Sequence, residues 1–465
     1  MSPPPEQRTR NTRQLCGFVE RTDRASIPAE VAARARMHVL DTIGVTIAGA
    51  ETEAGRIVGS YVAALGARGG ASLFAHGART AAQHAALAHG VMGHALDYDD
   101  YTVKSMLGHP SVVVLPAALA IAEEEGASGS DLLLAFVIGV EVACKLGDLF
   151  NPSLFQRGWP ATCVLGTFGA TAAAAKLLGL EGAALQNAFG IAGSEASGLK
   201  ANVGTMAKPF HAGRAAENGV LAARLAAAGY DATADILDVE EGFAEVFAVE
   251  ASPAGLAALG DPYDLVDPGI AVKPFPSCGA THSGIEAALA LAEDPRIEGR
   301  RIRSIVCEVA PHTANVLVFS RPTTGLEGKF SMEYCVAVAM LRGRPAVADF
   351  SDEAVADPEV RELVERIEVV LDPELDQQGY MSNAAPVGTR IKVELENDQK
   401  VELNVATPGW DGDSPPPVDE LREKFAGCVE GSMPTESGAQ LADALLKIDQ
   451  VADVRELGEL LRGRR

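Results

Sequence analysis

Long runs of alanine, glycine and leucine with few rings among them constrain this chain more than any other feature. The stretch "TFGATAAAAKLLGLEGAALQNAFGIAGSEASG", residues 167–198, is typical, and aromatic residues make up only 5% of the chain. Alanine, valine and leucine must therefore fill the interior, which favours closely packed helices. Residues 24–260 read as a succession of such helices punctuated by Gly and Pro. In "SDLLLAFVIGVEVACKLG", Ser130 or Asp131 is placed to cap the start and Gly147 to end the helix. This is the most apolar segment, yet it is short and contains Glu141, so it reads as a buried helix and not a membrane span.

The texture changes near "DPYDLVDPGIAVKPFPSCGATHSG", residues 261–284, where prolines break any long helix. Beyond it, "RIRSIVCEVAP" and "RIEVVLDP" alternate like strands, and "GTRIKVELENDQKVELNVATPG" reads as a hairpin turning at "ENDQ". "GIEAALALAED" and "FSMEYCVAVAML" read as helices between them, and the tail "VDELREKFAGCVEGSMPTESGAQLADALLKI" is helical again. With 465 residues the chain is too long for one core. The expected architecture is mainly α with an α+β lid: a large all-helical domain plus a smaller α+β domain. The expected bounds are 1–264 and 406–465 for the helical domain and 265–405 for the insertion.

The net charge of −24 argues against nucleic-acid or anionic-membrane partners, which require basic surfaces, but leaves room for one locally basic pocket. The N-terminal "MSPPPEQRTRNTRQLCGF" lacks the apolar stretch of a signal peptide and reads as a tail before a helix. Seven cysteines, an odd number without a CxxC pair, fit a reducing cytoplasm better than a disulfide framework or a structural zinc site.

Three polar stretches carry the candidate chemistry. The first is "GHALDYDDYTVKSMLGHPS", in which Asp97, Asp99, Asp100, Tyr101, Lys104 and His109 lie on the loop between two apolar helices. A solvated loop is the plain reading. A metal site is a second, although the run "DYDDYT" follows a helix and not the buried strand of an aspartyl phosphatase. The chain also has too few aromatics for a terpene cyclase, and no second acidic cluster supplies further oxygens for a hard cation. The second stretch, "MAKPFHAGRAAENG", gathers Lys208, His211 and Arg214 just ahead of an expected helix, a pattern suited to an anion. The third, "VKPFPSCGATH", places Lys273 at the expected domain junction, with Cys278 and His282 following. A lone cysteine such as Cys278 is more often a small buried apolar residue than a nucleophile.

Taken in order, "GHALDYDD", "HPSVVVLPAALAIAE", "TFGATAAAAKLLGL", "KPFHAGRAAENGVLAARLAAAGY", "KPFPSCGATH" and "KFSMEYCVAVAML" resemble the MmgE/PrpD family over roughly residues 15–460. That family includes 2-methylcitrate dehydratase, cis-aconitate decarboxylase and iminodisuccinate epimerase. The resemblance implies a homodimer without metal or organic cofactor and an active site between lid and helical domain. It implies functional roles for Asp97, Tyr101, His109, Lys208 and Lys273, with His211, Arg214, Cys278 and His282 as substrate-binding candidates. Asp97 would orient or accept a proton, while Asp99 and Asp100 would mostly hold the loop. Two departures stand out: Tyr101 replaces a threonine of the family's lyases, and Pro160, in "RGWPAT", stands where they carry a histidine. Proline can neither transfer a proton nor donate a hydrogen bond. The expected activity is a lyase on a small di- or tricarboxylate, by dehydration or decarboxylation through an α-carbanion. The alternative is a cofactor-independent epimerase or isomerase of a dicarboxylate. A non-catalytic carboxylate-binding protein is a third reading, against which both lysines speak.

Overall fold

The structure, a computed structural model, describes residues 11–102, 104–248, 256–372, 375 and 388–461. The expected N-terminal tail, residues 1–10, lies outside these. The described chain divides into two compact units. The first comprises residues up to Ala95, Asp99–Val272 and Pro415 onward; the second comprises Leu96–Tyr98 and Lys273–Ser414.

The first unit begins with α1 (Asn11–Arg21), α2 (Ala29–Gly49) and α3 (Glu53–Leu65). A two-stranded antiparallel sheet follows, β1 (Ala71–Leu73) with β2 (Ala78–Thr80). This hairpin departs from the all-helical expectation. Its three-residue strands are too short to show alternation in sequence, and it is fixed by buried Glu123, which accepts from Ser72 N at 2.7 Å and Ser72 Oγ at 2.6 Å. Next come α4 (Ala82–Ala95), α5 (Ser111–Glu125), α6 (Gly129–Phe150), the short α7 (Ser153–Gln156), α8 (Ala161–Leu177), α9 (Gly182–Glu195), α10 (Ala207–Ala227) and α11 (Phe243–Phe247). Helices α5, α6, α9 and α10 pack around α8, which is buried from Ala161 through Ala175. A helix at the centre of a bundle needs no solvated face, and the buried hydroxyls of Thr167 and Thr171 donate to the carbonyls of Cys163 and Thr167 within α8.

Small residues set the spacing. A Cβ on Gly90 of α4 would sit 2.7 Å from Gly213 Cα of α10, and one on Gly139 of α6 would sit 2.6 Å from Gly169 O of α8. Backbones this close exclude any larger side chain at those points. Helix α6 is capped by Ser128, whose hydroxyl accepts from Asp131 N, and runs three residues past Gly147. The cap thus lies two residues before Ser130 and three before Asp131, and the helix passes Gly147, which packs directly on Ser105 and Met106. Glu141 is buried but not idle: its carboxylate accepts from Gly260 N at 2.8 Å and Asp264 N at 2.9 Å. Among the described residues, no helix is long and apolar enough to cross a membrane.

The second unit is built on α12 (His282–Ala292), β3 (Ile302–Val309), α13 (Pro311–Val316), α14 (Gly325–Gly328), α15 (Met332–Arg342), α16 (Asp352–Val355), α17 (Pro358–Val364), β4 (Ile367–Leu371), β5 (Thr389–Leu395) and β6 (Lys400–Val405). The sheet order is β4-β3-β5-β6, with β3 and β4 parallel and the other pairs antiparallel. Alternation puts Ile305, Cys307, Val309, Ile391, Val393 and Leu395 on one buried face, where they join the core of α12 and α15. Each such fully buried aliphatic side chain contributes roughly 1.5–3 kcal/mol. The opposite face carries the charged pair of Glu308 and Arg390 at 2.8 Å.

The tail returns to the first unit as α18 (Val418–Val429), α19 (Thr435–Leu446) and α20 (Gly458–Leu461). Helix α18 lies on α2, with Lys424 Nζ 2.6 Å from Asp41 Oδ1. The boundary falls at 272/273 because Ala271 pairs with Tyr101 of the first unit through two 2.9 Å backbone hydrogen bonds.

Candidate active site

In the first unit the polar loop after α4 is not a solvated turn. Asp99 and Asp100 have no accessible surface, which overturns the plain sequence reading. A carboxylate just beyond a helix C-terminus is opposed by the macrodipole, and buried it also loses hydration. It persists only where donors surround it. Asp99 has two: His94 Nδ1 lies 3.0 Å from each of its oxygens, and His109 Nδ1 lies 2.9 Å from Oδ2. Asp100 accepts from Ser111 N at 3.3 Å and from the Ser111 hydroxyl, and lies 2.7 Å from His38 Nδ1. Asp99 is therefore more than a loop support. It joins two histidines whose ring centroids are 4.4 Å apart.

Burial alone would push the Asp99 carboxyl up, but the charges and hydrogen bonds of His94 and His109 hold it well below the usual carboxylate range. His94 moves the other way. Burial, opposed by Asp99 and reinforced by the Lys208 ammonium and by His109, lowers it to about 4. At neutral pH the site thus contains an anionic Asp99 and a neutral His94. An acceptor on Nδ1 fixes the ring hydrogen there and leaves Nε2 as the basic nitrogen. His109 Nδ1 also lies 2.8 Å from the Asp100 carbonyl, so its ring is oriented from two sides. Of the two imidazoles, His109 is the accessible one, with 15% of its side chain exposed against 2% for His94.

The depressed His94 has a measurable consequence. Its unfolded value is 6.5 and its folded value is about 4, so the unfolded chain binds more protons between those limits and this contribution is lost as pH falls through that window. The advantage of wild type over His94→Gln in unfolding free energy should shrink by about 2 kcal/mol between pH 7 and pH 5, read by urea titration at both values. A constant difference would mean that His94 is not held neutral.

Helix α8 supports the loop: Thr162 Oγ1 accepts from His109 N at 3.2 Å. Pro160 is the N-cap of α8. A Cβ on Gly198 would lie 2.6 Å from Pro160 Cγ and 3.3 Å from His211 Cδ2, so both side chains face the same glycine. Position 160 is thus close to one of the expected binding residues.

Lys208, His211 and Arg214 do not precede a helix. Helix α10 starts at Ala207 and carries all three in its first two turns. Pro209 is compatible with this because a first-turn residue needs no N–H partner. The glycine contact between α4 and α10 brings Lys208 near enough to His94 for its charge to be felt there, and the same charge, after burial, lowers His211. Arg214 is engaged by carboxylates, with NH1 2.5 Å from Glu217 Oε2 and NH2 3.8 Å from Glu195 Oε2. Tyr101 is half-buried, its backbone fixed by the pairing with Ala271.

The second unit holds the other expected residues. Lys273 has 1% of its surface exposed, and its ammonium donates to the Asp97 carbonyl at 2.8 Å and lies 3.0 Å from Asp97 Oδ1. Asp97 has φ +52°, a left-handed backbone that Asp tolerates better than most residues. Tyr98 Oη donates to Pro274 O at 3.3 Å. His282 is fully buried beside Phe275 with Nε2 3.3 Å from Ser277 O, and Cys278 is half-buried with its N–H donating to Lys329 O at 3.0 Å. The other six cysteines are buried and none forms a disulfide.

One ligand atom each of His94, Asp99 and His109 lies within 4.8 Å of the others, an N,N,O donor set that suits a transition metal better than a hard cation. In this arrangement the carboxylate oxygens already accept from the rings.

Residues 13–255 match the MmgE/PrpD N-terminal domain and residues 275–450 match the MmgE/PrpD C-terminal domain. The chain belongs to the MmgE/PrpD family. Among its relatives, the cis-aconitate decarboxylase-like protein oryM of Aspergillus oryzae is 30% identical over 97% of both chains. Human cis-aconitate decarboxylase is 29% identical over 92% of this chain and 90% of its own. The 2-methylcitrate dehydratase of Salmonella typhimurium is 25% identical over 77% of each. His94, which the sequence reading quoted but did not single out, is the residue the fold brings onto Asp99. Its signal was the cost of acids at a helix C-terminus, which demands a nearby donor.

Proposed function

We propose that this MmgE/PrpD protein is a cofactor-independent lyase acting on a small tricarboxylate of the cis-aconitate or 2-methylcitrate kind. The observation that carries the reading is the His94–Asp99–His109 relay, with its accessible end at His109. Loss of carbon dioxide leaves an electron pair on carbon that a proton must quench. Loss of water needs a proton removed next to a carboxylate. Either step requires one group that transfers a proton and one cation that steadies the enediolate-like charge. His109, with Nδ1 held by Asp99, fits the first role, and Lys208 fits the second. Asp97, Tyr101 and Lys273 are assigned to the same reaction through their places in the family's stretches. The names of the relatives support a lyase, and their spread across decarboxylase and dehydratase matches the shared carbanion chemistry.

A second reading, an epimerase of a dicarboxylate, draws on Pro160, which has no proton to give a leaving group. Incubation with cis-aconitate, 2-methylcitrate and aspartate-like acids in deuterated water, followed by NMR, separates the readings. The lyase should release carbon dioxide or form an alkene, with deuterium at carbon in the decarboxylated product. Inversion with exchange and no new product would establish the epimerase instead. Decarboxylation or inversion without deuterium entering carbon would remove the carbanion from that reaction.

A further inference from the structure

Lys329 is a buried lysine that the reaction above leaves unused. It follows α14 and immediately precedes the α15 N-cap region, and it has 4% of its surface exposed. Lysine is rarely buried to this degree without specific partners, because its ammonium must be rehydrated by protein groups. Here it donates to Leu96 O at 2.6 Å and to Pro276 O at 2.8 Å, and it stands 4.7 Å from the centroid of Phe350. Its own carbonyl accepts from Cys278 N at 3.0 Å.

These acceptors belong to two separate pieces of chain. Leu96 immediately precedes Asp97, and Pro276 lies three residues beyond Lys273. Within the second unit the tripeptide 96–98 is thus fastened three ways: Lys329 to Leu96 O, Lys273 to Asp97, and Tyr98 to Pro274 O. Asp97 has the left-handed φ of +52°, so its carboxylate direction depends on what holds the flanking peptides. The carbonyl of Leu96 belongs to the peptide that sets this φ.

We propose that Lys329 is a positioning residue: one ammonium ties the strand of chain carrying Asp97 to the strand carrying Lys273 and so sets the geometry of that pair. A methionine would fill the same volume but leave two buried carbonyls without their donor. The role in turnover rests on the proposed assignment of Asp97 and Lys273 to the reaction; the fastening of 96–98 does not.

The test compares Lys329→Met and Lys329→Arg with wild type. A displacement of about 1 Å at a reacting group can cost on the order of 100-fold, so Lys329→Met should lose roughly 30- to 100-fold in kcat with KM within about threefold. Lys329→Arg, which keeps a donor, should recover most of that loss. Amide hydrogen exchange followed by mass spectrometry should accelerate in peptides covering 96–98 and 276–278 and stay unchanged in β3 and β5. Exchange at 96–98 equal to wild type in Lys329→Met would overturn the fastening. Accelerated exchange with kcat within twofold of wild type would overturn positioning, provided Asp97→Asn is itself impaired. If Asp97→Asn turns over normally, the assignment of Asp97 has failed, and the exchange data alone then decide whether Lys329 holds the tripeptide.

Discussion

Asp99→Asn should lower turnover by roughly 10²- to 10⁴-fold while leaving the helical unit folded. The carboxylate accepts from His94 Nδ1 at 3.0 Å and from His109 Nδ1 at 2.9 Å. Asparagine has the same shape but only one acceptor oxygen, and its amide nitrogen donates. One imidazole must then face a donor, which drives it to the other tautomer or turns the ring. If that ring is His109, its basic nitrogen points back into the protein, where it cannot reach a substrate. The asparagine substitution in the serine-protease triad, the handled precedent for a carboxylate that fixes a tautomer, shows a loss near 10⁴. Here the second histidine shares the carboxylate, so the lower end of the range is included. Steady-state kinetics on the substrate found by the NMR panel, with circular dichroism as the folding control, gives the answer. Turnover within fivefold of wild type in a folded Asp99→Asn would show that His109 does not depend on Asp99, and the relay would no longer support a proton-transfer role.

Much of this arrangement could be read from the chain, for reasons that differ by residue. The sheet of the second unit was legible because β3 and β5 alternate cleanly and bury one face, so Ile305, Cys307, Ile391 and Val393 announce their side. The buried helices were legible from composition alone. The start of α10 was not, because Lys208-Pro209 looks like a break, whereas proline in a first turn costs no hydrogen bond. The polar loop was visible as a cluster, but its pairing was not. Which carboxylate meets which imidazole depends on how the chain turns between Ala95 and Ser111, and no periodicity governs such a turn. Position 97 illustrates the limit: its left-handed backbone is held by Lys273 and Lys329, residues 176 and 232 positions further on. The partners of Arg214 show the same limit, since Glu195 reaches it only after α9 and α10 are packed.

Lys273→Met should both abolish most turnover and destabilise the second unit by about 3–5 kcal/mol, because it removes one partner from a buried ion pair. Lys273 has 1% of its surface exposed and its ammonium is 3.0 Å from Asp97 Oδ1, itself in a side chain 5% exposed. Taking both charges out of water costs free energy that their attraction and the 2.8 Å bond to the Asp97 carbonyl offset. Without the ammonium, Asp97 keeps its burial and loses that compensation. The double variant Asp97→Asn/Lys273→Met removes the charge as well, so it should regain most of the lost stability. Its turnover should stay low, because neither an acid/base carboxylate nor a cation would remain at these positions. The cycle of wild type, two single variants and the double variant, unfolded in urea and assayed in parallel, separates the two roles. Equal instability of the single and double variants would show that the two charges are not coupled. Full turnover in Lys273→Met would show that the pair serves the fold alone, and charge stabilisation during the reaction would then rest on Lys208.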